Sequence, residues 1–227
     1  MNVHIVKESA DDDSDSIFIY IPNFITEQEE EIIKNWLNSM TDFKINMNYD
    51  KTKIIRLQKW YQMDGEYFCP KWEKRYDRWM SHQYNDILLN LQSKLQQYLS
   101  ENSELKSYQI TIPNINSCLI NMYRFKSDRI RAHRDTNQSF GKEPTIAGLS
   151  IGVPREICFK RVEYDDSNHH LSKLDKKTQH LNFSKRLESR SLFIMAGSSQ
   201  KHWTHEIPPG VEEGVRFSLT FREFILG

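Results

Sequence analysis

Apolar residues recur along this chain in two rhythms, and the rhythm changes near residue 117. Before that point Ile32, Ile33, Trp36 and Leu37 share one face at helical spacing, behind Thr26 and Glu29, whose separation makes a capping box. A helix is predicted from about 26 to 40. Ile87, Leu88, Leu91, Leu95, Tyr98 and Leu99 recur at steps of three and four, so a second helix is predicted with a buried stripe. From Ser117 onward the apolar runs are short or alternating, at 117–125, 145–153, 156–161, 191–195 and 215–222, each of strand length. An isolated strand is predicted at Ile17–Ile21, closed by Pro22-Asn23. Helices first and antiparallel strands after give an α+β class. The expected architecture is a sandwich or barrel of strands braced by N-terminal helices, because the helical stripes must bury against a surface.

Two polar stretches interrupt the pattern. Residues 1–15 end in Asp11-Asp12-Asp13-Ser14-Asp15 and read as a disordered acidic tail before a single domain of residues 16–227. Residues 163–190 hold Asp165-Asp166-Ser167-Asn168 and Lys173, Lys176 and Lys177, and read as a long insertion or lid loop. Thirty-one basic residues balance thirty-one acidic ones, so a polyanion would need a local site rather than an overall positive field. Cys69, Cys118 and Cys158 are an odd count without CxxC spacing, which argues against a disulfide framework or a thiolate zinc site. With no basic or apolar leader at the N-terminus, a reducing intracellular compartment is expected. No apolar run approaches the roughly 18 residues of a membrane span, and a monomer is expected.

His133-Arg134-Asp135 puts an imidazole and a carboxylate two residues apart, on the same side of an extended strand, where both can reach one metal. A second histidine would complete two nitrogens and one carboxylate on one face of an octahedron. That set leaves positions for cosubstrate and dioxygen in non-haem Fe(II) oxygenases. Taken alone the triplet is weak, because an exposed loop histidine explains it as well. In the C-terminal strand, alternation puts Arg216, Ser218, Thr220 and Arg222 on one face and Phe217, Leu219 and Phe221 on the other. The cationic face suits a dicarboxylate such as 2-oxoglutarate, or is an ordinary solvent face.

Taken together, Asn121-Met-Tyr123-Arg, His133-Arg-Asp135, Ala147-Gly-Leu-Ser-Ile-Gly-Val-Pro-Arg155, His202-Trp-Thr-His205 and Arg216-Phe-Ser-Leu-Thr-Phe-Arg222 resemble the AlkB family of dioxygenases, in that family's order. The resemblance covers about 117–225 and implies a double-stranded β-helix, or jelly-roll, core. It implies that His133, Asp135 and His205 bind Fe(II), with His205 rather than His202 as the third ligand and His202 either beside the site or structural. It further implies that Arg216 grips the distal carboxylate of 2-oxoglutarate, helped by Asn121 and Tyr123, with Arg222 near the chelating end. Ser218 stands where relatives often carry asparagine.

The same resemblance implies oxidative removal of N-alkyl groups from nucleobases of DNA or RNA, presented on a single strand or flipped from a duplex. Trp60 and Tyr61, after Arg56, are the candidates for stacking on the base, with core packing as the rival. Arg124, Lys126, Arg129, Arg131 and Arg134 are five cations within eleven residues that could meet phosphates. Asn137 stands where base-repairing relatives often carry an acidic residue. His4, His82, His169, His170 and His180 read as solvated. A protein or other non-nucleic-acid substrate, or a non-catalytic reader of modified nucleic acid, stay open as alternatives.

Overall fold

The structure, a computed structural model, describes residues 1–8, 14–47, 53–63, 80–163 and 173–225. Its elements are β1 (Asn2–Val6), β2 (Ser16–Ile21), α1 (Glu27–Ser39), β3 (Lys44–Met47), β4 (Lys53–Gln62), β5 (Ser81–Gln83), α2 (Asp86–Glu101), α3 (Ser103–Ser107) and β6 (Ser117–Tyr123). There follow β7 (Ile130–His133), α4 (Asn137–Phe140), β8 (Ile146–Gly152), β9 (Arg155–Glu163), β10 (Lys173–Leu174), β11 (Phe183–Leu187), β12 (Leu192–Gly197), α5 (Ser199–His202), β13 (Trp203–Ile207) and β14 (Arg216–Arg222).

The strands form two sheets. The larger runs β1-β2-β12-β8-β14-β6-β4-β3, with β5 alongside β4, and the smaller runs β10-β9-β13-β7, with β11 alongside β9. Antiparallel pairing throughout except for the short parallel β4–β5 pair, and a core shared between the sheets, make the jelly-roll. Phe18, Tyr123, Phe159, Phe193, Met195 and Trp203 fill the space between the sheets. On the outer side of the larger sheet, Ile33 and Leu37 of α1 and Leu88, Leu91, Leu95 and Leu99 of α2 pack with Ile120, Leu149, Ile194, Phe217 and Leu219. Each fully buried leucine there contributes roughly 2 kcal/mol. The Thr26–Glu29 capping box closes the start of α1, as its spacing predicts. No helix among the described residues is long and apolar enough to cross a membrane.

One glycine turns the chain from the larger sheet to the smaller. Gly152 ends β8 at φ +95°, and a Cβ there would lie 2.2 Å from the Val215 carbonyl oxygen. Both facts demand glycine at this corner.

Three expectations need correction. Asn2–Val6, assigned to a frayed tail, pairs along β2 as an edge strand, with Val6 buried. Beyond it, Glu8 is sealed under Arg161 and Ser16, so side-chain hydrogen bonds hold this segment down. The 163–190 stretch is not a lid where it is described: Phe183–Leu187 returns along β9 in register, preceded by a 3-10 turn at Lys176–Leu181. Polar residues alternate along β11 because only one face of it is covered, and that hid it among loop-like composition. Thirdly, β13 and β4 are full strands that the apolar pattern does not single out. Cys118 and Cys158 are free thiols. Cys69, His169, His170 and the Asp11-Asp12-Asp13 run lie outside the described residues.

Candidate metal and cosubstrate site

Pairing register assembles the site. His205 of β13 lies directly opposite His133 of β7, with ring centroids 4.3 Å apart, and Asp135 follows two residues past His133 on the same side. One ligand atom from each of the three lies within 4.8 Å of the others. The Nδ1 of His133 faces the Arg131 carbonyl oxygen at 2.9 Å; donating its hydrogen there leaves the Nε2 lone pair free, 3.8 Å from Asp135 Oδ1. The Asp135 backbone N–H donates to the buried Gln200 side chain at 2.9 Å, which fixes where the carboxylate stands.

Electrostatics prepare these groups as ligands. Burial, with the neighbouring His133, pushes His205 down to about 3, and burial likewise lowers His133, so both imidazoles are neutral at ordinary pH. Burial alone would raise Asp135, but the Arg222 guanidinium leads the opposing effects that hold the carboxyl below its usual range. Arg222 Nε stands 3.1 Å from Asp135 Oδ2 without aiming its hydrogen at it, so the contact is ionic rather than a hydrogen bond. That oxygen and His205 Nδ1 are buried with no hydrogen-bond partner. Two neutral imidazoles and a carboxylate with unsatisfied lone pairs fit a divalent cation of the iron type.

The cavity beside this cluster has a volume of about 440 Å³, and the inner face of the larger sheet forms its floor. Register lays that floor out in rows: Tyr123 opposite Arg216 opposite Gly152, then Gln58, Asn121, Ser218 and Ser150, then Trp60, Leu119, Thr220 and Gly148. Glycine at 148 leaves depth over the third row. Arg216 is only 1% exposed and donates through Nη2 to Ser150 Oγ at 3.0 Å, while its Nε and Nη1 find no partner. Burial lowers its affinity for its proton, and no carboxylate among the described residues answers its charge. A buried guanidinium with unused donors facing a cavity fits the distal carboxylate of 2-oxoglutarate. Asn121 Oδ1 accepts from Arg56 Nε at 2.7 Å and from Gln58 Nε2 at 3.3 Å, which ties β4 to the floor.

The expected substrate residues divide. Trp60 lines the cavity at 1% exposure, with the Arg222 guanidinium 5.9 Å from its ring centroid. Tyr61 points through the sheet into the outer core beside Trp36, because neighbours on a strand face opposite ways, so it cannot stack on anything in the cavity. Asn137 is exposed at the start of α4 and is not on the cavity wall. Arg134 reaches the wall, but its Nη1 donates to the Lys201 carbonyl. Arg124 is taken up by buried Asp128, and Lys126 by Glu213. Arg129 and Arg131 are exposed on the cavity wall with no side-chain hydrogen bond or ion pair to a described residue. His202 sits 3.9 Å from Glu8 and is not on the cavity wall. His4 is exposed yet packs its ring on Phe183 at 4.4 Å. Ser150 and Gln200 went unremarked; Ser150 falls inside the Ala147–Arg155 block, whereas nothing local marks Gln200.

A family model of the 2OG-Fe(II) oxygenase superfamily matches residues 18–222, and the chain belongs to that superfamily, whose members use Fe(II), 2-oxoglutarate and dioxygen. Within it the chain is similar to AlkB-type proteins. It is 31% identical over 116 residues to the DNA oxidative demethylase ALKBH2 of Arabidopsis thaliana, covering 47% of this chain and 37% of that protein. It is also 31% identical over 108 residues to the human alpha-ketoglutarate-dependent dioxygenase alkB homolog 3, covering 47% and 36%. The match therefore spans little more than a third of the length of these relatives. Among solved structures, OsALKBH1 superposes with a TM-score of 0.57 at 16% identity, over 91% of this chain and 97% of that one. A prolyl-4-hydroxylase of Pseudomonas putida does so at 0.55 and 11%, over 92% of each. At such identities the likeness shows the fold.

Proposed function

We propose that this protein is an Fe(II)- and 2-oxoglutarate-dependent dioxygenase that oxidatively removes N-alkyl groups from nucleobases of DNA or RNA. The observation that carries the oxygenase reading is the meeting, in one cavity, of the His133–Asp135–His205 cluster with the buried, half-satisfied Arg216. In this reading His133, Asp135 and His205 hold the iron. Arg216 pairs with the distal carboxylate of 2-oxoglutarate, with Ser150, Ser218, Asn121 and Tyr123 shaping the floor around it. When bound, these two groups turn dioxygen into an oxidant for a C–H bond, and 2-oxoglutarate leaves as succinate and carbon dioxide.

The chain's own residues then orient and shield. Arg131 holds the His133 ring through its carbonyl, and Gln200 and Arg222 hold Asp135, so the ligand set is presented before any ion arrives. Trp60 and Phe140 flank Arg222 and keep that end of the cavity apolar. Hydroxylation of an N-methyl group gives a product that falls apart to formaldehyde and the unmodified base.

The nucleobase assignment is supported by the similarity to DNA oxidative demethylases and by Arg129 and Arg131, whose unanswered charges at the cavity wall suit phosphates. Alternation puts Arg131 and His133 on one side of β7, about 6.6 Å apart, with Arg129 just before the strand on the same cavity wall, so a nucleic-acid strand laid along them leads to the iron site. A substrate of one or a few nucleotides' width, on a single strand or flipped from a duplex, fits this short edge better than a long duplex does. The test is a panel of methylated single- and double-stranded DNA and RNA incubated with iron, 2-oxoglutarate and the protein. Formaldehyde release from at least one member is expected, and silence across the panel would remove the nucleobase assignment.

A further inference from the structure

Behind the cavity floor lies a second buried cation that takes no part in the site described above. Arg155 opens β9 just past the Gly152 corner and is 2% exposed, yet it does not line the cavity. Its Nη2 donates to the Phe125 carbonyl at 2.7 Å and its Nη1 to the Lys126 carbonyl at 2.9 Å, while its Nε is buried without a partner. No carboxylate among the described residues pairs with it. Its guanidinium lies 5.9 Å from the centroid of the Tyr123 ring, and that of Arg216 lies 5.1 Å from the same centroid.

Gly210 closes around this arginine. A Cβ at 210 would stand 2.4 Å from Arg155 Nη1 and 2.5 Å from its Cζ, and the Gly210 N–H donates to the Lys126 carbonyl at 2.7 Å, the oxygen that Arg155 also engages. The turn after Tyr123, the loop at 210 and the Tyr123 ring are thus gathered on one guanidinium. Two buried cations sharing one aromatic ring, neither in an ion pair with a carboxylate among the described residues, repel each other and are costly to keep, and Arg155 has only the more distant, exposed Glu213 among those residues to relieve it. An anchor for a turn alone does not require a full charge in that position. The distal carboxylate of 2-oxoglutarate arriving at Arg216 offsets the charge there and relieves its repulsion with Arg155.

We infer that Arg155 is a positioning residue for the cosubstrate. Its planar fork fixes the 125–128 turn and braces the Tyr123 ring on which Arg216 leans, and its charge, acting through the ring, strengthens the selection of a distal carboxylate. This rests on the reading of Arg216 as the partner of that carboxylate.

The test is calorimetric titration of the full chain, loaded with Mn(II) in place of iron, with 2-oxoglutarate and separately with 2-oxobutyrate, which chelates alike but has no distal carboxylate. Arg155→Met is expected to weaken 2-oxoglutarate about tenfold, the scale of one charge-assisted interaction, and to leave 2-oxobutyrate affinity as it was. Arg155→Lys keeps the charge but loses the fork, and is expected to fall between the two. Raising 2-oxoglutarate should recover the turnover that either variant loses. Equal weakening of both ligands would make Arg155 a plain structural anchor, and no change in either would leave it without a role; either result overturns the inference. Should Arg155→Met show no cooperative thermal unfolding, the same two-ligand comparison is decided on Arg155→Lys. Arg216→Met is run in parallel: unchanged 2-oxoglutarate affinity in that variant defeats the Arg216 reading itself, and with it the ground for this one.

Discussion

The two faces of β14 are built from alternating residues of one short segment and do opposite things. On the outer face Phe217, Leu219 and Phe221 are buried under the helices in an apolar layer, with the Tyr84 hydroxyl packed against it as a buried polar atom without a hydrogen-bond partner. On the inner face Arg216 and Arg222 are buried nearly as deeply, but donors on both lack hydrogen-bond partners and the neighbouring cluster keeps bare lone pairs. Native interiors rarely leave buried polar groups unpaired, so a concentration of them marks where a ligand completes the structure. Stability is drawn from one face and chemistry from the other.

That contrast can be broken at several points. The largest effect should come from His133→Ala, which removes one ligand of the inner cluster: iron binding and formaldehyde release should fall to background while the thermal midpoint barely moves. Next, Arg216→Met should weaken 2-oxoglutarate by about a hundredfold, the scale of losing one partner of a buried ion pair, measured by titration. On the outer face, Leu219→Ala should cost about 2–5 kcal/mol in denaturant unfolding and leave the affinity for 2-oxoglutarate unchanged. A shift in that affinity would show that the two faces are coupled through the strand. The smallest effect belongs to Thr26→Ala, which removes the cap of α1, remote from the cavity, and should cost about 1 kcal/mol in the same measurement.

The sequence carried these two faces unequally. Strict alternation in Arg216–Arg222 and helical spacing in 87–99 made the outer core and its helices legible, because burial against a surface leaves a period. The polar face of β14 carried the same period but no sign of direction: solvent and a cavity look alike from a single strand, and only the opposing sheet decides. His133 and Asp135 were readable as a pair two apart. Their meeting with His205 depends on β7 and β13 pairing across seventy residues of chain, so the resemblance, not the spacing, nominated it. Tyr61 was misassigned for a local reason. Two adjacent aromatics on a strand cannot share a pocket, and Trp60 took the inner side. Asn137 was carried by its distance from Asp135 along the chain, but the chain turns into α4 there and carries it off the cavity wall. Arg155 stands at the end of the Ala147–Arg155 block, but neither it nor Gln200 carries a readable role, because holding backbone and rings in place is something no short motif records.

If the inner cluster and Arg216 form one site, 2-oxoglutarate is consumed there as an N-alkyl group is removed from a base. The most direct measurement is succinate and formaldehyde together, from the iron-loaded protein on its best methylated oligonucleotide, beside His133→Ala. The two products are expected in equal amounts, each dependent on iron and 2-oxoglutarate, with neither formed by His133→Ala. Equal product formation by His133→Ala, or succinate without formaldehyde on every methylated substrate, would contradict this.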